Sequence, residues 1–191
     1  KLPAQLGLGR VADFATGVQA EVSAPEGNEM QVYLGRNVAP EFFAWLVPTA
    51  AGRALVGLLA RRNGQSYLDS LIRKLQLDGR IKEVVRGPAR WGVPLRPLTK
   101  TYGDRLVVVG DAAGQVKPTT GGGIYYALLA SEIAAETLHD SLESNDLSAL
   151  ALSHYERRWK ALLSKEMDTG YSARRAFESL KDAQIDYLMR T

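Results

Sequence analysis

Cysteine is absent from this 191-residue chain, and histidine occurs only twice, at His139 and His154. The first absence excludes disulfides, thiolate metal sites, iron–sulfur ligation and cysteine nucleophiles. The second leaves too few imidazoles, outside any close-spaced pattern, for a histidine-built metal centre or catalytic dyad. An excess of one charge is lacking as well. Against 21 Asp and Glu there are 24 Lys and Arg, a net charge of +3 with no long basic run, so no nucleic-acid partner is indicated. No apolar run approaches the roughly 18 residues of a membrane span, and no charged segment, apolar core and cleavage site marks export. The expected location is therefore cytoplasmic. The chain opens on Lys1 instead of Met, as an excised or processed piece would. What is present is 46% hydrophobic and 24% charged residues with 18 Gly and 8 Pro, the composition of a mixed globular chain that can bury a sizeable core.

The first half reads as sheet. Val11 to Ala24 alternates β-favouring residues and the Pro25 to Asn28 segment supplies a turn. Short apolar runs follow at Met30–Gly35, Phe42–Val47 and Ala54–Ala60, separated by Pro40 and by a turn over Pro48–Arg53, which implies an antiparallel sheet. Between Ser66 and Leu77 the residues Leu68, Leu71, Ile72 and Leu75 recur at helical spacing, with Ser66 as the expected cap and Gly79 just past the end. Ile81 to Arg90 is a further candidate strand, and Gly87, Pro88, Gly92, Pro94 and Pro97 predict a stiff connector. Beyond Leu98 the pattern changes. The run Arg105–Val109 predicts a strand buried on both faces in a parallel sheet, followed by a glycine-rich loop and a helix to about His139. From Leu147 the residues Leu152, Tyr155, Trp159, Leu162 and Met167 form a helical stripe, and a last helix is expected over 171–190. The fold expected is α+β: a sheet region over 1–98, a central segment over 99–140, and C-terminal helices over 141–191.

The segment richest in chemistry runs from Leu106 to Glu136. A buried strand ending in Gly110-Asp111 delivers a carboxylate to a strand's carboxyl edge, where ligands bind in α/β sheets, and Ala112, Ala113 and Gly114 let a bulky ligand approach the backbone. Asp111 can accept hydrogen bonds from sugar or polyol hydroxyls. Thr119 and Thr120 are expected to cap the next helix, and Gly121, Gly122 and Gly123 to leave its first N–H groups open to an anionic group. The same residues also read as a strand-to-turn corner and an ordinary flexible loop. Phe42, Phe43 and Trp45 in turn read as core aromatics.

The run VVVGDAAGQVKPTTGGGIYYALLASEIAAE resembles the second FAD fingerprint of the flavoprotein hydroxylase-like superfamily, and specifically that of the geranylgeranyl reductase family. The resemblance implies that Gly110, Asp111, Ala112, Ala113, Gly114, Pro118, Thr120, Gly121, Gly122, Gly123 and Ile124 hold FAD. Within that set, Asp111 would sit on the ribityl or pyrophosphate part and the glycines against the flavin ring, where a helix dipole favours the reduced, anionic form. Phe43-Ala44-Trp45-Leu46-Val47-Pro48 followed by Gly57 resembles the family's substrate-domain motif. Val47 stands where the motif has Phe, and Leu59 where it has a second Gly. Gly17–Val22 resembles the strand that precedes it.

By this resemblance the sheet over 1–98 binds substrate, 99–140 is the returning part of a Rossmann-like FAD domain, and 141–191 is a helical tail. Phe43, Trp45, Pro48 and Gly57 would contact an isoprenoid or lipid substrate, and an apolar substrate implies a peripheral place at the membrane surface. The implied reaction is hydride transfer from reduced FAD to an isoprenoid carbon–carbon double bond, with NAD(P)H or ferredoxin as electron donor. A Gly-x-Gly-x-x-Gly turn for the other half of FAD is missing, since Gly7-Leu8-Gly9 lacks its third glycine, so the piece alone is expected to bind FAD weakly and to be inactive. Alternatives are a flavin monooxygenase, a quinone-directed dehydrogenase, or a non-catalytic apolar-ligand binding module. Arg157-Arg158 and Arg174-Arg175 read as solvated helix faces. Lys117, Tyr125 and Tyr126 lie beside the glycine loop without an assigned role.

Overall fold

Residues with two-residue periodicity in the first half pair into one five-stranded sheet: β1 (Phe14–Ser23), β2 (Gln31–Tyr33), β3 (Ala44–Ala50), β4 (Arg53–Ala60) and β5 (Val84–Pro94), in the order β2-β3-β4-β1-β5. The computed structural model describes residues 2–25, 29–50 and 52–190. The turn expected after Pro25 has residues 26–28 outside the described residues, as does Ala51 in the turn expected over Pro48–Arg53. Pairing of β2 with β3, β3 with β4 and β1 with β4 is antiparallel, as short links require. Alternation turns Val18, Ala20 and Val22 of β1, Ala44 and Leu46 of β3, and Ala54, Val56 and Leu58 of β4 to one face. There they meet the helix α2 (Gly64–Leu77) through Leu68, Leu71, Ile72 and Leu75. Burying each of these four side chains contributes about 1.5–3 kcal/mol, which outweighs the helix's modest intrinsic propensity.

The helix begins two residues before Ser66. Its N-cap is Asn63, in the left-handed conformation and making no side-chain cap bond, so Ser66 is interior and not a cap. Gly79 ends the helix as expected: at φ 68° its N–H donates to Gln76 O at 3.1 Å while the Arg80 N–H donates to Leu75 O at 2.8 Å. The expected Gly/Pro connector is instead strand. β5 continues through Gly87, Pro88 and Gly92 to Pro94, which an edge position permits because one side of the strand makes no ladder bonds.

The second half departs further from expectation. Leu106–Val107 is a two-residue strand, β7, in an antiparallel hairpin with β6 (Tyr102–Gly103), not a strand of a parallel sheet; among the described residues no parallel partner exists. Three helices follow a single 3-10 turn at Gly110–Ala113: α3 (Ile124–Glu143), α4 (Ala149–Ser179) and α5 (Asp182–Arg190). α4 is continuous where a break near residue 170 was expected. Gly170 lies within it and faces Pro118, whose Cδ would be 3.5 Å from a Cβ there. The actual break is at Leu180–Lys181. A short N-terminal turn, α1 (Leu2–Gln5), completes the elements.

Contacts divide the chain into a loop unit, Lys1–Phe14 with Val93–Arg175, and a sheet unit, Ala15–Gly92 with Ala176–Thr191. These differ from three consecutive segments because the last helix belongs with the sheet: Ile185 is buried, and Asp182 Oδ1 accepts the Arg36 N–H at 3.0 Å. No helix among the described residues is long and apolar enough to cross a membrane.

Candidate functional site

In the loop unit, the residues from Gly110 to Ile124 form one continuous cradle. Gly110 and Gly114, both at positive φ, bracket the 3-10 turn, and the Gly114 N–H donates to Asp111 O at 3.0 Å. No larger residue fits at 114, since a Cβ would lie 2.7 Å from Pro97 Cα and would run into Arg96 O. The Leu98 N–H reaches Ala113 O at 2.9 Å, tying the turn to the preceding segment.

A buried polar chain fixes this turn from below. The Gly110 N–H donates to Gln115 Oε1 at 2.7 Å, Gln115 Nε2 donates to the Tyr155 hydroxyl at 2.9 Å, and that hydroxyl donates to Val108 O at 2.9 Å. Gln115 and Tyr155 are both wholly buried. Burial raises Tyr155 to about 12, so the phenol stays protonated and keeps its donor role. Beside it Trp159 Nε1 donates to Thr101 Oγ1 at 2.9 Å, while Glu156 Oε2 accepts from the Thr101 N–H at 2.7 Å. None of Gln115, Thr101 or Glu156 stands out in the sequence. The only signal for Gln115 is a polar residue between Gly114 and Val116, and for Tyr155 and Trp159 the helical stripe marks burial but not bonding.

The glycine triplet closes on itself. The Gly121 N–H donates to Lys117 O and the Lys117 N–H to Gly122 O, each at 2.9 Å, and the Gly122 N–H meets Thr120 Oγ1 at 3.3 Å. Neither Thr119 nor Thr120 caps α3. The N-cap is Gly123, without a side-chain bond, so the first N–H groups of this helix keep their dipole end open as expected. Asp111 and Gly123 are brought together: a Cβ at 123 would run into Asp111 Oδ1 and come 3.4 Å from Val116 Cγ2. Asp111, Ala112, Thr120, Gly122 and Ile124 are exposed on this cradle, whereas Ala113, Gly114 and Pro118 are buried beneath it.

Behind the loop, Lys117 Nζ is 3.4 Å from Glu166 on α4 and lies over the Tyr126 ring. Tyr126 is buried with its hydroxyl lacking a well-formed hydrogen bond, and burial pushes it far above the ordinary tyrosine range. The Tyr126 hydroxyl, and then Lys117, hold Glu166 below the usual carboxylate range. Tyr125 is exposed. Of the paired arginines, Arg158 meets Glu136 on the surface as a solvated face would, but Arg174 is buried with Nη2 3.3 Å from Asp13, because Asp13 supplies the charge that permits it.

In the sheet unit, Trp45 of β3 stands opposite Gly57 of β4, which in turn stands opposite Gln19 of β1. The indole lies flat over Gly57, where a Cβ would collide with the ring, and donates from Nε1 to Gln19 Oε1 at 3.0 Å. Phe43 adds a second ring 5.8 Å away at 53°. Phe43, Trp45 and Gly57 thus share the face turned away from α2. Pro48 does not share it; it follows Leu46 on the α2 side, where both line one cavity.

No protein-family model matches the chain. A digeranylgeranylglycerophospholipid reductase of Methanothermobacter thermautotrophicus is 35% identical over 187 residues, 95% of this chain and 48% of its own length. The solved structure of a geranylgeranyl bacteriochlorophyll reductase-like protein from Thermoplasma acidophilum superposes with a TM-score of 0.80 at 26% identity, over 94% of this chain and 47% of that one. Over nearly its whole length the chain is similar to geranylgeranyl reductases. It spans about half the length of the curated relatives it matches. Beyond the geranylgeranyl reductases the fold extends to a flavin-dependent halogenase, CmlS, with a TM-score of 0.63 at 16% identity, over 86% of this chain and 33% of that one.

Proposed function

We propose that this chain is the part of an FAD-dependent oxidoreductase that carries the second flavin-contacting loop and an apolar substrate wall, and that the whole protein reduces carbon–carbon double bonds of an isoprenoid lipid. The observation that carries the reading is the meeting of Asp111 with Gly123. A carboxylate stands at the edge of the cradle beside Gly123, where a Cβ would run into it, and an uncapped helix begins there. Those features fit a polyhydroxylated, anionic and planar group approaching backbone.

FAD, when bound and reduced by a nicotinamide or a ferredoxin, supplies the hydride. The chain's own residues do the rest. Asp111 accepts hydrogen bonds from the cofactor's hydroxyls, and the backbone from Gly121 to Ile124 presents N–H groups and the positive helix end to a region that becomes more negative on reduction. Gly110, Ala112, Ala113, Gly114, Pro118 and Thr120 set the cradle's shape. Phe43 and Trp45 with the bare backbone of Gly57 form a flat apolar surface for an isoprenoid chain, and Gln19 fixes the indole's orientation. Relatives named for a digeranylgeranylglycerophospholipid support that substrate class. An apolar wall also excludes water from the reaction.

The test is the visible spectrum of the full-length protein followed by anaerobic incubation with a digeranylgeranyl phospholipid and a reductant. A flavin spectrum and a gain of H2 per double bond are expected, with Gly123→Val losing the flavin. A colourless protein that takes up no added FAD overturns the reading and leaves an apolar-ligand binding module, while consumption of oxygen with substrate turns it toward a monooxygenase.

A further inference from the structure

On the α2 side of the sheet, away from Trp45, the start of α2 is set hard against β1: a Cβ on Gly64 would come 2.8 Å from Val18 Cγ2. Beside it, reaching to the end of β4 and to β5, lies a cleft of about 630 Å3 whose charged lining is Arg61, Arg62, Arg73 and Arg90 against a single carboxylate, Asp69. Arg61 is already compensated, with Nε 2.8 Å from Glu41 and Nη2 3.0 Å from Glu178. The other three have no carboxylate within ion-pair distance among the described residues. Arg90 instead donates to Gln65 Oε1 at 2.7 Å and Arg73 to Ser70 Oγ at 3.4 Å, while Asp69 accepts from Gln65 Nε2 at 2.8 Å.

Guanidinium groups keep their charge at every physiological pH, so three of them on one concavity repel one another unless an anion enters. Concave walls focus their field, and their planar forks match the oxygens of a phosphate two at a time. The uncapped start of α2 adds partial positive charge at the same place. Neutral polar partners, Gln65 and Ser70, pre-orient Arg90 and Arg73 without neutralising them. We propose that this cleft binds the phosphate of a phosphorylated ligand, with Arg62, Arg73 and Arg90 as its cations. The sheet unit alone carries it, so it stands or falls separately from the flavin reading.

Titration of the full-length protein with pyrophosphate by calorimetry at low salt tests the site. Binding is expected to weaken as salt rises, to fall about tenfold or more in the Arg62→Gln/Arg73→Gln/Arg90→Gln variant, and to change less than about twofold in Arg86→Gln, an exposed arginine of β5 outside the cleft. All three cleft arginines are exposed, so the triple variant retains the fold, which its melting curve verifies. The corresponding triple Lys variant keeps the charge, loses the fork geometry and falls between the two. No pyrophosphate binding, or equal binding by wild type and triple Gln variant, overturns the proposal. Flotation with phosphatidylcholine vesicles, with and without phosphatidylglycerol, separates the ligand's sources. Capture by the anionic vesicles alone, reversed by pyrophosphate and lost in the triple variant, supports a lipid head group; pyrophosphate binding without capture supports a soluble phosphate ester.

Discussion

Among the described residues, the buried cluster between the sheet and α2 consists of Ala, Val, Leu and Ile, with Tyr33 and Tyr67 only partly buried at its margin, whereas the core beneath the glycine cradle is built around Tyr126, Tyr155 and Trp159. An aliphatic core asks for volume and pattern, and many side-chain combinations satisfy it. An aromatic core with polar tips asks for partners at fixed points, and Tyr155 and Trp159 find them in Gln115, Val108 and Thr101. On the proposed reading, the difference follows from what each unit would hold. A wall for an isoprenoid would need only shape and dryness, but a loop meeting a cofactor through its backbone would have to be placed atom by atom, and hydrogen bonds provide that direction.

Substitutions can break this comparison. The largest effect is expected for Gly114→Val, which combines a left-handed backbone with a clash against Arg96 and Pro97; urea unfolding should show a loss of about 4 kcal/mol. Leu58→Ala in the aliphatic core should cost about 3 kcal/mol, but Leu58→Met, which keeps volume, under about 1.5 kcal/mol. Tyr155→Phe removes one oxygen and strands two buried partners, for a loss of about 2 kcal/mol. Were Tyr155→Phe milder than Leu58→Met, the two cores would not differ as described.

The same tyrosine sharpens the comparison through pH. Its folded value of about 12 lies above the ordinary 10.0, so its contribution is fully present below pH 10 and is lost as pH rises through about 12. Tyr126, also raised, acts in the same sense. Melting temperatures measured from pH 9 upward should therefore fall less steeply in Tyr155→Phe than in wild type. The smallest effect belongs to the surface: Arg158→Gln, which removes an exposed pair with Glu136, should shift stability by less than about 0.5 kcal/mol.

The sheet and α2 were legible because their signals are local. Period-two alternation in β1 and β4 and the spacing of Leu68, Leu71, Ile72 and Leu75 need no knowledge of distant residues. Errors arose where tertiary context overrides a local rule. Gly87 and Pro88 read as breakers until an edge strand tolerates them, Gly170 and its neighbours read as a boundary until α4 runs through, and Arg105–Val109 reads as a parallel strand until only Leu106–Val107 proves to be strand, paired antiparallel with Tyr102–Gly103. Asp111 and the glycine triplet were readable as a fingerprint. Their supports were not, because Gln115 meets Tyr155 across 40 positions and Trp159 meets Thr101 across 58.

The two units are interleaved along the backbone, with crossings after residues 14, 92 and 175. Neither is a contiguous stretch of chain. A truncation at residue 92 therefore delivers a sheet stripped of Ile185 and of the carboxylate that receives Arg36, and a start at residue 93 delivers a cradle without Leu8 or Asp13. Gene dissection into separately expressed modules would have to relink termini by circular permutation, and a protease that nicks one crossing leaves both units tethered by the other two.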